Sequence, residues 1–491
     1  MSKRDVWIVT GALLLSNAMG GLDSTIINTA LPAIIADLHG LELIGWIVAV
    51  FLLGTAVSTP LWSKLGEYIG NKKSYEIATA VFVIGSLFQG MAPNMVTLLF
   101  FRVIAGIGNG GMISIPYIIY SDLFKNPRTR MKILGFASAS FSTATIIGPL
   151  VGGFIVDLLN WRWVLFICVP VGLISILLIH FFDKQPERKH KITGVDYLGA
   201  NLMISGLVSL LVGIQLIGSG NTYVVIGLIV IAAIILFIFF KHENNIENPI
   251  IPSRLFKNRS LLIDFVSFAL IWGAFISFNI YGPMWAQGLL GMTALLGGAT
   301  QIPGSITDFI GSELVAPLRN YISPQKVVAM GIITLLGCFF ILTFAGEKSP
   351  YWILLVAGAF EGFGNGECFN ELQVKVQQDA LQKDVPAATS FSFLIRTLSQ
   401  TFTTSIFGIV LANSLKNGIA NAHGKITMKM MNELSNASSA NNLPHHLLPQ
   451  MRRILYSGLH NVMLLALIIV IAAAILNIWA QFLEHKKLKQ A

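Results

Sequence analysis

The sequence predicts an all-α polytopic membrane protein of fourteen spans, built as two six-helix halves with two inserted helices between them. Three observations lead there. Of 491 residues, 54% are hydrophobic and only 12% charged, far from the balance of a soluble domain. Apolar runs long enough to cross a hydrocarbon layer of ~30 Å recur along the whole chain. Finally, Gly106-Ile107-Gly108-Asn109-Gly110-Gly111 in the fourth run returns as Gly362-Phe363-Gly364-Asn365-Gly366-Glu367 in the twelfth, and Leu98-Leu99 returns as Leu354-Leu355, at one offset of 256 residues. Pairing span four with span twelve leaves spans seven and eight between the halves. The chain then divides into residues 1–190, 191–258 and 259–491, the last with a long polar loop at about 413–453. Paired halves with a ligand site at their midplane interface are a transporter architecture.

The runs fall near residues 7–31, 43–62, 75–92, 96–121, 133–157, 162–182, 196–218, 222–240, 261–286, 293–316, 326–345, 350–372, 387–411 and 455–482. Most of the 33 Lys and Arg residues, among them Lys72, Lys73, Arg128, Arg130, Lys189 and Arg259, lie on the N-terminal side of the spans. The positive-inside bias therefore places both termini in the cytoplasm. The net charge of +9 is scattered over short loops, which reads as topology and not as a nucleic-acid surface. No polar stretch is long enough for a catalytic domain, and the 413–453 loop reads as a linker. Cys168, Cys338 and Cys368 sit in apolar runs without metal-ligand spacing, so neither a disulfide framework nor a metal is expected. Walker, HExxH, GxSxG and CxxC patterns are absent, so the expectation is a transporter without a cofactor, not an enzyme. The first run lacks a small-residue cleavage site and holds an acid, so it reads as an uncleaved span.

That acid is Asp23, in Gly21-Leu22-Asp23-Ser24-Thr25-Ile26-Ile27-Asn28-Thr29-Ala30-Leu31-Pro32. Counted from Trp7 it lies roughly 24 Å along a helix, still within the hydrocarbon. An intramembrane carboxylate is by default a functional residue; the alternative is an acid snorkelling to the outer surface. The stretch resembles the first-helix signature of the fourteen-helix drug:proton antiporter family of the major facilitator superfamily. The resemblance implies a major facilitator fold and, for Asp23, a role in proton coupling and substrate binding.

Further matches run from residue 21 to about 410. Ser63-Lys64-Leu65-Gly66-Glu67-Tyr68-Ile69-Gly70-Asn71-Lys72-Lys73 resembles the superfamily's loop after the second helix, with Ser63, Glu67 and Tyr68 in place of the usual Gly, Asp and Arg. It implies gating roles for Glu67 and Gly70, since a carboxylate near a helix end can pair with basic residues in one conformation only; the alternative is a solvated turn. Arg102, followed by Gly106 and Gly108, resembles an Arg-x-x-Gln-Gly motif with Ala105 for Gln. A guanidinium that stays charged is a partner for an acid such as Asp23, unless it snorkels outward near Pro93 and Asn94. Ala144-x-x-x-Gly148-Pro149-x-x-Gly152-Gly153 resembles the antiporter motif of drug exporters. Its small residues admit a neighbouring backbone and Pro149 bends the helix, which suits a hinge or seal. Asn160-Trp161-Arg162-Trp163, Asp196-Tyr197-Leu198-Gly199 and Leu255-Phe256-Lys257-Asn258-Arg259 resemble the family's structural junctions.

The second half holds the distinctive chemistry. Asp308 and Glu313 follow Pro303-Gly304-Ser305 in the tenth span, where the family usually has an apolar residue and a proline; some cation-exporting members carry an acid at the position of Asp308. Glu361, Glu367 and Glu371 lie in the twelfth span, with no Lys at mid-depth to neutralise them. Asp23, Asp308 and Glu361 are expected to face one cavity and to hold either a proton or a cation. Arg102, Glu313 and Glu367 are further candidates for this site, Arg396 is a candidate partner for Glu313 or Glu367, and Glu371 and Asp264 read as interfacial charges. Trp272, Phe275, Phe278, Tyr281 and Trp285 form a stripe that could stack on a flat cation or pack toward lipid.

Together these readings predict a proton-coupled multidrug efflux antiporter of the bacterial cytoplasmic membrane. It would export small lipophilic cations by alternating access, as a monomer among membrane lipids. The alternatives are the same fold exporting a lipid, peptide or metabolite and, in other classes, a channel or a sensor.

Overall fold

A backbone in hydrocarbon has no water to bond, so apolar runs cross it only as helices or closed barrels. In the computed structural model, which describes residues 3–124, 127–183, 196–217, 221–246, 253–381, 385–422 and 424–488, every regular element is helical. In chain order these are α1 (Lys3–Leu38), α2 (Ile44–Ile69), α3 (Asn71–Gly90), α4 (Met95–Leu123), α5 (Pro127–Leu158), α6 (Trp161–Phe166), α7 (Cys168–Phe182), α8 (Tyr197–Gln215) and α9 (Thr222–Glu243). Then follow α10 (Arg259–Met284), α11 (Ala294–Ala299), α12 (Ile302–Leu318), α13 (Pro324–Phe344), α14 (Trp352–Asp379), α15 (Val385–Ala420), α16 (Met428–Leu434), α17 (Ala437–Ala440) and α18 (Leu448–Leu488). Ten helical stretches among the described residues are long and apolar enough to cross a membrane. The fourteen expected crossings are thus not all recovered by that measure. The long helices that fall short are α3, α5, α12 and α14, and α12 and α14 are the ones that carry the acids of the second half.

The 256-residue offset is an architectural repeat. Lys3, which opens α1, and Leu123, which closes α4, lie 256 residues before Arg259, which opens α10, and Asp379, which closes α14. The packing repeats as well. A methyl group at Gly106 would collide with the Phe51 backbone of α2, and one at Gly362 with the Gly304 backbone of α12. Gly108 abuts α3 at Ala78 and Phe82, as Gly364 abuts α13 at Gly331 and Thr334. The glycine pattern therefore encodes close contact of the fourth helix of each half with its second and third.

Between the halves, α8 lies against both α2 and α15. Ala49, Leu53 and Val57 share an apolar cluster with Met203, Leu207 and Leu211, and Gln215 Nε2 donates to Ser405 Oγ at 2.7 Å. Hydrogen bonds that cross between the halves gather at the end opposite the N-terminus. There Gln287 Nε2 donates to the Thr29 carbonyl at 3.1 Å, and the Asp157 carboxylate accepts from the Ala294 and Leu295 amides at 3.0 and 2.9 Å.

Two expectations are corrected here. The 413–453 stretch is more than a linker: it holds α16 and α17, buries Ile426, Met431, Leu434 and Leu443 in the main core, and its Asn432 Oδ1 accepts from the Leu41 amide at 3.0 Å. Its polar composition hides a few apolar residues that anchor it to both halves. The aromatic stripe does not face lipid either: Trp272, Phe278 and Tyr281 of α10 and Trp285 just after it are buried, with Trp272 against Phe268 and Phe369.

Candidate functional site

In the first half, α1 presents Asp23 to Arg102 of α4. Both are about 2% exposed, and their nearest N–O distance is 3.7 Å. Neither snorkels to an interface. The separation is too long for a hydrogen bond, and Asp23 Oδ2 has no hydrogen-bond partner. The guanidinium is held by other groups: Nε donates to the Ile47 carbonyl at 3.2 Å, one terminal nitrogen lies 3.5 Å from Gln89 Oε1, and the plane sits 4.0 Å from the centre of the Phe51 ring. Arg102 is therefore anchored independently of Asp23. The α5 motif packs directly beside the pair. Side chains at Gly148 and Gly152 would collide with Thr25 and Ile26 of α1, and one at Gly153 with the Leu295 backbone of α11. The Pro149 carbonyl lies against Gly298 of α11. The same few residues thus touch the Asp23 helix and the opposite half.

The second half brings Asp308 and Glu361 together by the close packing of α12 on α14, which requires Gly304, Gly362 and Gly366. Glu361, 4% exposed, accepts from Asn279 Nδ2 of α10 at 2.9 Å. Asp308 accepts from Asn365 Nδ2 of α14 at 2.7 Å. Arg396 of α15 acts electrostatically on Asp308, while its guanidinium lies 5.2 and 5.0 Å from the Phe369 and Phe393 ring centres. Asp23 has Arg102 as its charged neighbour, so the three acids form two clusters. Glu313 is exposed on α12, and Glu367 is fully buried with neither carboxylate oxygen hydrogen-bonded.

Glu371, near the C-terminus of α14, and Asp264, near the N-terminus of α10, are corrected from interfacial charges to buried ones: Arg319 Nε lies 3.1 Å from Glu371 and Lys375 Nζ 2.9 Å from Asp264. These partners come from other helices or the turn below, which sequence spacing alone does not disclose. Gly70 joins α2 to α3 at φ 95°, ψ 142°, a conformation that strongly favours glycine. The side chain of Glu67 lies outside the described residues. Lys72 Nζ donates to the His180 and Asp183 carbonyls at 2.7 and 2.6 Å, closing the C-terminus of α7. Sequence reasoning missed the amides Asn279 and Gln89. Asn279 was recoverable, since it stands 256 residues after Asp23.

The Major Facilitator Superfamily profile matches residues 13–404. The chain belongs to that superfamily. It is 29% identical over 483 residues to "Multidrug resistance protein 3" of Bacillus subtilis (strain 168), covering 96% of this chain and 94% of that one. It is 32% identical over 422 residues to "Multidrug transporter protein MdtP" of the same strain, covering 84% and 76%. Among solved structures, its superfamily fold is matched by a bacterial homolog to the human lysosomal transporter Spinster, at TM-score 0.70, 15% identity and 98% coverage of both chains. Membership of this superfamily makes the multi-pass membrane protein a transporter.

Proposed function

We propose that this major facilitator protein is a proton-coupled exporter of small lipophilic cations, and that Asp23, Asp308 and Glu361 are the groups at which protons and substrate compete. The observation that carries this reading is the pair of buried carboxyl groups in the second half, each held by a neutral amide. A carboxyl bonded to an amide with no cation beside it, as Glu361 is, can be protonated without leaving a buried counter-charge stranded. Ionised, it attracts a cation; protonated, it does not. One group cannot hold both, so each ligand expels the other, which is the requirement for exchange. The likeness to two proteins named for multidrug resistance and transport supports export of drug-like molecules.

In this reading both termini are cytoplasmic, the membrane is the bacterial cytoplasmic membrane, and the protein works as a monomer. The units that rock are residues 1–190 and 259–491, with residues 191–258 between them. The contacts at Thr29, Asp157, Leu41 and Asn432 seal the outer end and must part when the substrate leaves. The α5 motif, with Gly148, Pro149, Gly152 and Gly153, is the hinge of that seal, and Glu67 with Gly70 sets the cytoplasmic turn.

The test is movement of a fluorescent lipophilic cation in proteoliposomes, with and without an imposed pH gradient, for wild type and Asp23→Asn. Gradient-driven transport in the wild type that the substitution abolishes is expected. No cation movement in the wild type would sink the cation reading, and movement indifferent to the gradient would indicate a channel or uniporter.

A further inference from the structure

The internal repeat breaks at one informative place. The motif of the first half ends in Gly111, where a side chain would collide with Ala78 and Trp62; the motif of the second half ends in Glu367. Glu367 is 0% exposed, and neither of its oxygens has a hydrogen-bond partner. A buried carboxylate without a partner costs several kcal/mol, so packing alone would favour the glycine of the first half.

Among the described residues, no ion pair joins Glu367 to a charged group on the helices packed against α14. On α12 and the turn after it, Asp308 is bonded to Asn365, Glu313 is exposed, and Arg319 pairs with Glu371. On α10, Asp264 takes Lys375 of α14; on α15, Arg396 stacks on Phe369 and Phe393; on α13, Lys326 stands in the first turn. Glu371 lies one helical turn beyond Glu367 on the same face and reaches Arg319, which is 21% exposed. Glu361 is six residues before Glu367 along α14, a rise of roughly 9 Å and roughly 120° around the helix.

We propose that Glu367 relays protons between Glu361 at the middle of the bundle and the Glu371–Arg319 pair at its cytoplasmic end. This rests on the proton-coupled reading above and adds a route to it. The Glu361 carboxyl gives its proton through water to the Glu367 carboxylate. Glu367 passes it to Glu371, and a protonated Glu371 loosens its hold on Arg319 and releases the proton to cytoplasmic water. No bond other than O–H is made or broken, and each carboxylate is regenerated.

Two measurements on the full-length protein in proteoliposomes decide it. The first compares gradient-driven efflux of a lipophilic cation with cation–cation exchange in the absence of a gradient, for wild type, Glu367→Gln and Glu367→Gly, the latter restoring the residue of the first half. Gradient-driven efflux should fall by about tenfold or more while exchange stays within about twofold. The second is labelling by a hydrophobic carbodiimide, which reacts with protonated carboxyls in apolar surroundings, mapped by mass spectrometry. Modification at Glu367 should decline as pH rises. Wild-type efflux in both variants, equal loss of efflux and exchange, or pH-independent labelling would each overturn the relay. A wild type that ignores the gradient would instead overturn the proton-coupled reading itself.

Discussion

At equivalent places in its two halves the protein solves the burial of a carboxyl group in opposite ways. In the first half the acid is on the first helix, Asp23, and faces an arginine on the fourth, Arg102. In the second half the acid is on the helix equivalent to the fourth, Glu361, and faces an amide on the helix equivalent to the first, Asn279; glycine, Gly358, stands 256 residues after the arginine. Protonating Asp23 would leave a buried guanidinium without its counter-charge. Protonating Glu361 leaves nothing charged behind. The Asp23–Arg102 pair therefore changes state at the cost of a stranded charge unless its helices move, whereas Glu361 can change state in place. On the proposed reading, exchange at Asp23 requires helix movement and exchange at Glu361 does not.

The comparison breaks first at Arg102. Arg102→Gln buries a lone carboxylate and should cost about 3–5 kcal/mol, read as a lower unfolding temperature in detergent. Asp23→Asn added to it should recover most of the loss, and a single variant as stable as the wild type would show that the pair does not act as a unit. The asparagines of the repeat sharpen the contrast. Asn365 donates to a carboxylate but Asn109 to a hydroxyl, Thr55 Oγ1 at 3.3 Å, so Asn365→Ala should cost about 2 kcal/mol and Asn109→Ala about 1, measured by titration with SDS. Equal losses would mean that Asp308 is uncharged in the resting protein. The turns after the second helix of each half differ too. Gly70→Ala at φ 95° should destabilise by about 1–2 kcal/mol, whereas no glycine occurs in residues 319–323 at the equivalent turn. The smallest effect on stability belongs to Glu361→Gln, within about 0.5 kcal/mol because an amide can keep the bond to Asn279. In proteoliposomes this variant should nonetheless lose its response to a pH gradient. A strongly destabilised Glu361→Gln, or one still driven by the gradient, would remove the distinction between the halves.

Much of this was legible in the chain. The apolar runs, the 256-residue repeat and the glycines at helix contacts follow from local chemistry: hydrocarbon demands helices, and close backbone approach demands small residues. Asp23, Arg102, Asp308 and Glu361 stood out because a charged residue at mid-depth is costly wherever it points. Which acid meets which partner was not legible. Glu371 and Asp264 look interfacial by position and become buried pairs only because α12 and α14 bring Arg319 and Lys375 to them. The polar stretch 413–453 reads as a tether, yet it packs into the core through Met431 and Leu434 and bonds to Leu41 across the two halves. Sequence by itself determined the membrane fold, its two-fold plan and the identities of the costly residues, since each rests on one residue's transfer energy or on periodicity. Only the tertiary structure decided that Asp23 faces a cation and Glu361 bonds to an amide, because partner choice depends on distances between helices far apart in the chain.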